Sequence, residues 1–221
     1  MRDSQGAKAT FADLVSCYVA PLLSASGFRK SKLVWNRRRY EIIQVLDIQV
    51  SRWSDEEELR FTINLGVLAE ETRPILCDKP MPRTVQEADC FPRLRISYLL
   101  DEGPLRRDTW WTITQMTNLD AMGIDLQGVL STRCIPFLDK LDSIGAILAL
   151  AEDPLLRRFP AELLSYAILK HLAGARQESQ QILGNLLENK RLDAWHDCTR
   201  EVRARLAKRE QSHVEGRDIG K

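Results

Sequence analysis

The clearest pattern along the chain is alternation. Phe61, Ile63, Leu65 and Val67 take every second position of "LRFTINLGVL", the period of a half-buried strand. The run before it, "EIIQVLDIQVSRW", offers Ile42, Leu46, Ile48 and Val50 as its best apolar set. Only "SDEEE" separates the two, which predicts a hairpin. A one-residue slip would carry polar groups into the core, so the parity of the register is determined. The other face then carries Asp47, Gln49 and Ser51 alongside Arg60, Thr62 and Asn64. "KLVWNRRRY" and "DTWWTIT" read as further strands. In the latter, Ile113 and Trp111 point inward together, which leaves Trp110, Thr112 and Thr114 on the polar face. "RLRISYLL" is either a strand or the end of a long loop over 70–92, which holds several prolines and at most a helical turn at "TVQEAD".

Helical spacing brackets the strands. Phe11, Leu14, Val15, Tyr18, Val19, Leu22 and Leu23 share one face of a first helix, predicted to open at Thr10 with Asp13 completing a capping box. Pro21 should kink it and Gly27 should stop it. After Asn118, the positions Leu126, Leu130, Cys134, Phe137 and Leu141 follow the same rhythm, with Pro136 as a kink. Further helices are expected from "SIGAILALAED", from Pro160 to Gly174, around Ile182–Leu187, and through Leu192, Trp195, Thr199, Val202 and Leu206. The "YAILKHLAGARQESQQILGNLLE" pair is weakly similar to a tetratricopeptide hairpin, but no second copy follows, so a plain helical hairpin is the simpler reading.

The fold class expected is therefore α+β. An antiparallel sheet of about four strands is packed by helices on one face, and a C-terminal helical hairpin or small bundle follows. The boundaries are 1–142 for the α+β domain, 143–210 for the helical extension and 211–221 for a solvated tail.

Composition adds exclusions. Lys+Arg is 32 against Asp+Glu 31, so strong non-specific affinity for nucleic acid or anionic membrane is not implied. The short basic run "NRRRY" does not change that. Cys17, Cys77, Cys90, Cys134 and Cys198 are irregularly spaced and form no C-x-x-C, which suggests free thiols in a reducing cytosol. No apolar signal core and no run of about 20 apolar residues occurs, so a cytoplasmic protein is expected.

Taken in order, "GFRKSKLVWNRR", "IQVSRWSDEEELRFTINLGV", "CFPRLRISYLL" and "DTWWTIT" resemble the bacterial family called domain of unknown function 4304. The match covers the first half to two thirds of the chain. Where that pattern carries Cys-His ahead of Arg-x-Arg, this chain has Cys90-Phe91. The resemblance implies an α+β unit and no activity.

Candidate chemistry is sparse. There is no P-loop, G-x-G-x-x-G, H-E-x-x-H or G-x-S-x-G. The first candidate site is the polar sheet face of Asp47, Gln49, Ser51, Arg60, Thr62, Asn64, Trp110, Thr112 and Thr114, which competes with the plain solvated side of an antiparallel sheet. Arg93 and Arg95, two apart on a strand, could grip a carboxylate or phosphate, or pair with Asp89 or Asp101. Cys90 beside Arg93 is the best thiolate candidate. "WHDC", at Trp195 to Cys198, has metal-type ligands at no standard spacing, and His171 reads as a partly buried structural histidine. No cofactor or metal is expected.

The leading function is a non-catalytic recognition module that binds a protein partner through the open sheet face, an immunity-type protein that blocks a toxin being one specific form. The alternative is an enzyme or small-ligand binder for an anionic substrate anchored by Arg93, Arg95 and Gln49. Self-association remains open.

Overall fold

Alternating apolar positions need a surface to pack against, and the sheet is where the chain begins to meet that demand. In the computed structural model, which describes residues 6–100 and 108–218 and side chains as far as 211, six strands form one antiparallel sheet. They are β1 (Arg29–Ser31), β2 (Val34–Arg39), β3 (Ile42–Val50), β4 (Glu58–Ala69), β5 (Arg93–Arg95) and β6 (Trp111–Thr114). The order is β1-β2-β3-β4-β5, with β6 also paired to β4. Two short strands thus share one edge of β4: Arg95 lies opposite Asn64 on β5, and Thr112 lies opposite Arg60 on β6. The excess over the expected four strands comes from β1, Arg29–Ser31, which a turn at Lys32 (φ 58°) joins to "KLVWNRRRY", and from the brief "RLR" segment.

The helices of the chain are α1 (Ala7–Leu14), α2 (Ala20–Ala25), α3 (Thr72–Cys77), α4 (Ser97–Leu100), α5 (Leu119–Val129), α6 (Ile135–Asp139), α7 (Ile144–Ala151), α8 (Pro160–Leu172), α9 (Arg176–Glu188) and α10 (His196–Asp218). Thr10 does not cap α1. The helix starts at Ala7 with Gly6 as N-cap, and the Thr10 hydroxyl donates back to the Gly6 carbonyl, the internal use that competes with capping. Both expected proline kinks are π turns. Val15–Val19 precedes Pro21, and Leu130–Cys134 precedes Pro136. A wider turn absorbs the hydrogen bond that each proline cannot donate. Gly27, at φ 85°, ends α2 as expected.

The chain divides into two compact units, one of Met1–Val67 with Thr84–Asp142 and one of Leu68–Arg83 with Ser143–Lys221. In the first, the helices cover one face of the sheet. Phe11 of α1 meets Phe61 of β4 with ring centroids 5.2 Å apart, and Trp111 also stacks on Phe61 at 5.6 Å. Trp35, Leu46, Ile63 and Leu65 are fully buried. Gln44, also fully buried, donates from Nε2 to the Leu138 and Leu141 carbonyls at 2.5 and 3.3 Å. It thereby satisfies the end of α6.

In the second unit, Ile75 of α3 joins Leu164, Ile168, Leu183, Val202 and Leu206 in one core. The long loop expected over 70–92 therefore contains a real helix, whose last carbonyls, Ile75 and Leu76, accept from Arg205 Nη1 at 3.0 and 3.2 Å. The helix α10 continues past 211, where the sequence suggested a tail, as far as Asp218.

Candidate functional site

On the face of the sheet turned away from the helices, position along the strand decides exposure. Ile43 and Val45 are buried there, and the segment 84–92 lies over that end of the face. Asn36 of β2 exchanges two bonds with the backbone of Val85, donating to its carbonyl at 3.0 Å and accepting from its N–H at 2.8 Å. Cys90 sits so close over Gly66 that a Cβ on that glycine would lie 2.5 Å from the Cys90 Cβ. The solvated side of a simple one-sided sheet is thus found only at the other end.

The predicted polar residues do gather on this face. Asn64 Nδ2 donates to Asp47 Oδ2 at 3.1 Å and to Gln49 Oε1 at 3.0 Å. The Ser51 N–H donates to the Arg60 carbonyl at 2.7 Å, and the Ser51 hydroxyl accepts from the Trp53 N–H at 3.2 Å. Gln49, Arg60 and Thr112 are exposed. Two expectations need correction. Thr62 is fully buried, with its hydroxyl unpartnered, and Asn64 is buried as well. Trp110, whose exposure the sequence left open, is half-buried, with two guanidinium groups near its ring. The carbons at the centres of the Arg60 and Arg95 guanidiniums lie 5.9 and 5.4 Å from its ring centroid.

Arg93 and Arg95 are brought to the same face, opposite Gly66 and Asn64. Their carboxylate partners differ from those expected. Arg93 Nη1 lies 3.7 Å from Glu87 Oε2, and Arg95 Nε lies 3.6 Å from Asp108 Oδ1. Asp101 falls outside the described residues. Burial pushes both Asp47 and Glu87 above the usual carboxylate range; Arg93 pulls Glu87 back, while the nearby Asp47 adds to the rise. Raised carboxyls beside arginines mark a partly desolvated polar cluster.

Glu87 and Asp108 were missed by the sequence reading. Asp108 opens the run "DTWWTIT" and shares the parity of Trp110 and Thr112, a signal that could have found it, whereas Glu87 lies in "TVQEAD", where no alternation points to it.

The remaining candidates resolve into structural roles. Burial, with Glu87 and Asp89 behind it, pushes the Cys90 thiol well above its ordinary value, which removes it as a nucleophile. Arg37 of "NRRRY" is buried; it donates to Gln44 Oε1, to the Ser26 carbonyl and to Asp139 Oδ1 at 2.8, 3.0 and 2.7 Å. His171 is buried, with burial lowering its pKa, and its Nε2 lies 3.7 Å from Glu210 Oε1. His196 Nε2 meets the Asn189 carbonyl at 3.2 Å. Among the described residues, no group of three His, Cys, Asp or Glu side chains could hold a metal ion, and no helix is long and apolar enough to cross a membrane.

Comparison with known families decides one point. The family described as Domain of unknown function (DUF4304) matches residues 19–140. The chain belongs to this family. The DUF4304 match takes in all six strands, the whole polar face and the Arg37–Asp139 contact behind it. No curated protein and no solved structure matches the chain.

Proposed function

We propose that this DUF4304 member is a non-catalytic recognition module whose open sheet face engages a protein partner. The observation that carries this reading is the half-buried Trp110 held between Arg60 and Arg95 beside exposed Gln49 and Thr112. Trp and Arg are the residue types that dominate interface energetics, especially where an aromatic ring is already ordered. The face is polar without offering a nucleophile. The one thiol on it, Cys90, is buried and held protonated, and its carboxyls are tied to Asn64 and Arg93.

The anionic-substrate alternative draws less support. It needs Arg93, Arg95 and Gln49 free to converge on a ligand. Arg93 faces Glu87, Arg95 has Asp108 near Nε, and Gln49 accepts from Asn64.

The test is capture of partners by the full chain, compared with a Trp110→Ala, Arg60→Ala double variant that keeps its circular dichroism and melting behaviour. Loss of specific partners in the variant supports the reading. An unchanged partner set would sink it.

A further inference from the structure

The same face holds a more specific arrangement, whose interpretation rests on the recognition reading above. Two guanidinium groups, Arg60 and Arg95, converge on the single indole of Trp110. Trp110 immediately precedes β6, in which Thr112 is paired with Arg60, so the ring and both cations lie along the same edge of β4. Among the described residues Arg60 has no carboxylate partner. Arg95 is loosely balanced by Asp108 at 3.6 Å, while its Nη1 is buried with no hydrogen-bond acceptor. A buried, charged N–H that donates to nothing is costly, and natural structures rarely leave one without a reason.

Charge counting sharpens this. Arg93 is balanced by Glu87, and Arg95 by Asp108. Asp47 accepts from Asn64 rather than from a guanidinium. Among the described residues, Arg60 is then the guanidinium beside Trp110 with no carboxylate in contact. Among the described residues, no planar acceptor serves Arg60 and Arg95 Nη1 together.

We propose that Arg60, Trp110 and Arg95 form a carboxylate-binding subsite, whose occupant is an Asp or Glu side chain presented by a protein partner. A carboxylate matches the planar guanidinium fork and can accept from two N–H groups at once. A doubly charged phosphate fits less well, because Asp47, Glu87 and Asp108 lie on the same face and repel the second charge. The Arg95 side chain is 35 % exposed, so a turn of its outer torsions brings Nη1 to an acid that Arg60 has already met. The indole offers apolar surface to the methylenes of that acid.

The experiment uses the isotope-labelled full chain and follows the Nε–H signals of Arg60 and Arg95 and the indole N–H of Trp110. Hexaglutamate, hexaglutamine and inorganic phosphate are titrated at constant ionic strength. Hexaglutamate is expected to shift all three signals saturably, while the other two probes give no saturable shift. Arg60→Gln should weaken hexaglutamate by about tenfold, the scale of one charged hydrogen bond. Arg60→Lys should weaken it nearly as much, since it keeps the charge and loses the fork. Phosphate saturating these signals at lower concentration than hexaglutamate would overturn the carboxylate assignment. So would the absence of any saturable hexaglutamate shift, or undiminished, wild-type binding by both Arg60→Gln and Arg95→Gln. A partner whose capture needs Trp110 but survives Arg60→Gln and Arg95→Gln would overturn this subsite and leave the recognition reading standing.

Discussion

Arg37 Nη2 on β2 lies 2.7 Å from Asp139 Oδ1 at the end of α6, 102 residues further along the chain. The same guanidinium donates to Gln44 and to the carbonyl that ends α2, and it stacks over Phe28 at 4.4 Å. One buried side chain thus ties a strand to the C-termini of two helices. Burial disfavours its charge there, and Asp139 partly offsets this. Arg37→Ala should cost about 3–5 kcal/mol, the range for removing one member of a buried, bonded charge pair. Asp139→Asn should cost less, because Asp139 is 41% exposed and the asparagine oxygen can still accept. Urea unfolding of the two variants checks the order.

Among the described residues, Gly66 and Gly123 are the two glycines whose missing side chains are filled by neighbours. Cys90 occupies the space over Gly66, and the Tyr18 ring occupies the space over Gly123 in α5. Alanine at position 123 would favour the helix by about 1 kcal/mol, yet overpacking costs about 1–3 kcal/mol. Gly123→Ala should therefore destabilise. Gly66→Ala should also destabilise and should raise hydrogen exchange in the segment 84–92, because that segment must lift to admit the methyl. Unchanged exchange there would contradict the close packing of Cys90.

Thiol labelling should follow burial. Cys17 is exposed, while Cys90 and Cys134 are buried, with burial pushing Cys134 up to about 12. A thiol reagent at pH 8 should modify Cys17 first and should reach Cys90 and Cys134 only with unfolding, read by peptide mass spectrometry. Early labelling of Cys90 would return it to consideration as a reactive group.

The Asp47 carboxyl is raised by burial, with the Asn64 amide only partly offsetting this. A carboxyl raised in the folded state contributes its full stability below the unfolded carboxylate range and loses it as pH rises through the folded value. Asp47→Asn removes that loss and keeps an oxygen to accept from Asn64. The variant should be more stable than wild type at pH 7, with the advantage fading as pH falls through the raised folded value and gone below about 4. Thermal melts at the two pH values measure it. Glu87, raised in the same direction, should leave a residual pH dependence in the variant.

Tryptophan accessibility separates the five indoles. Trp53 is 77% exposed and Trp35 is fully buried. Acrylamide quenching should fall most in Trp53→Phe, with a smaller change in Trp110→Phe. A dominant loss with Trp110→Phe would mean that the Arg60 and Arg95 side chains do not shield that ring in solution.

The alternation of Phe61 to Val67 and of Ile42 to Val50 was enough to identify the hairpin, its parity and the membership of its polar face, because side-chain direction in a strand repeats every two residues and needs only local information. For the same reason Pro21, Gly27, Pro136 and Pro160 announced their helix breaks and starts. What lies above a face is a different matter. The covering of Val45 and Gly66 by 84–92 depends on Asn36 meeting Val85, 49 residues away. The placement of Ile75 depends on a core built from residues beyond 160. Glu87 and Asp108 reach the arginines only once β5 and β6 have shared the edge of β4. Exposure, ion pairing and raised carboxyls come from atoms brought together across the chain, and a local period carries no record of them. The sequence by itself determined which side chains share the polar face. Only the tertiary structure decided which of them are covered, which are paired, and which still have a charge to offer.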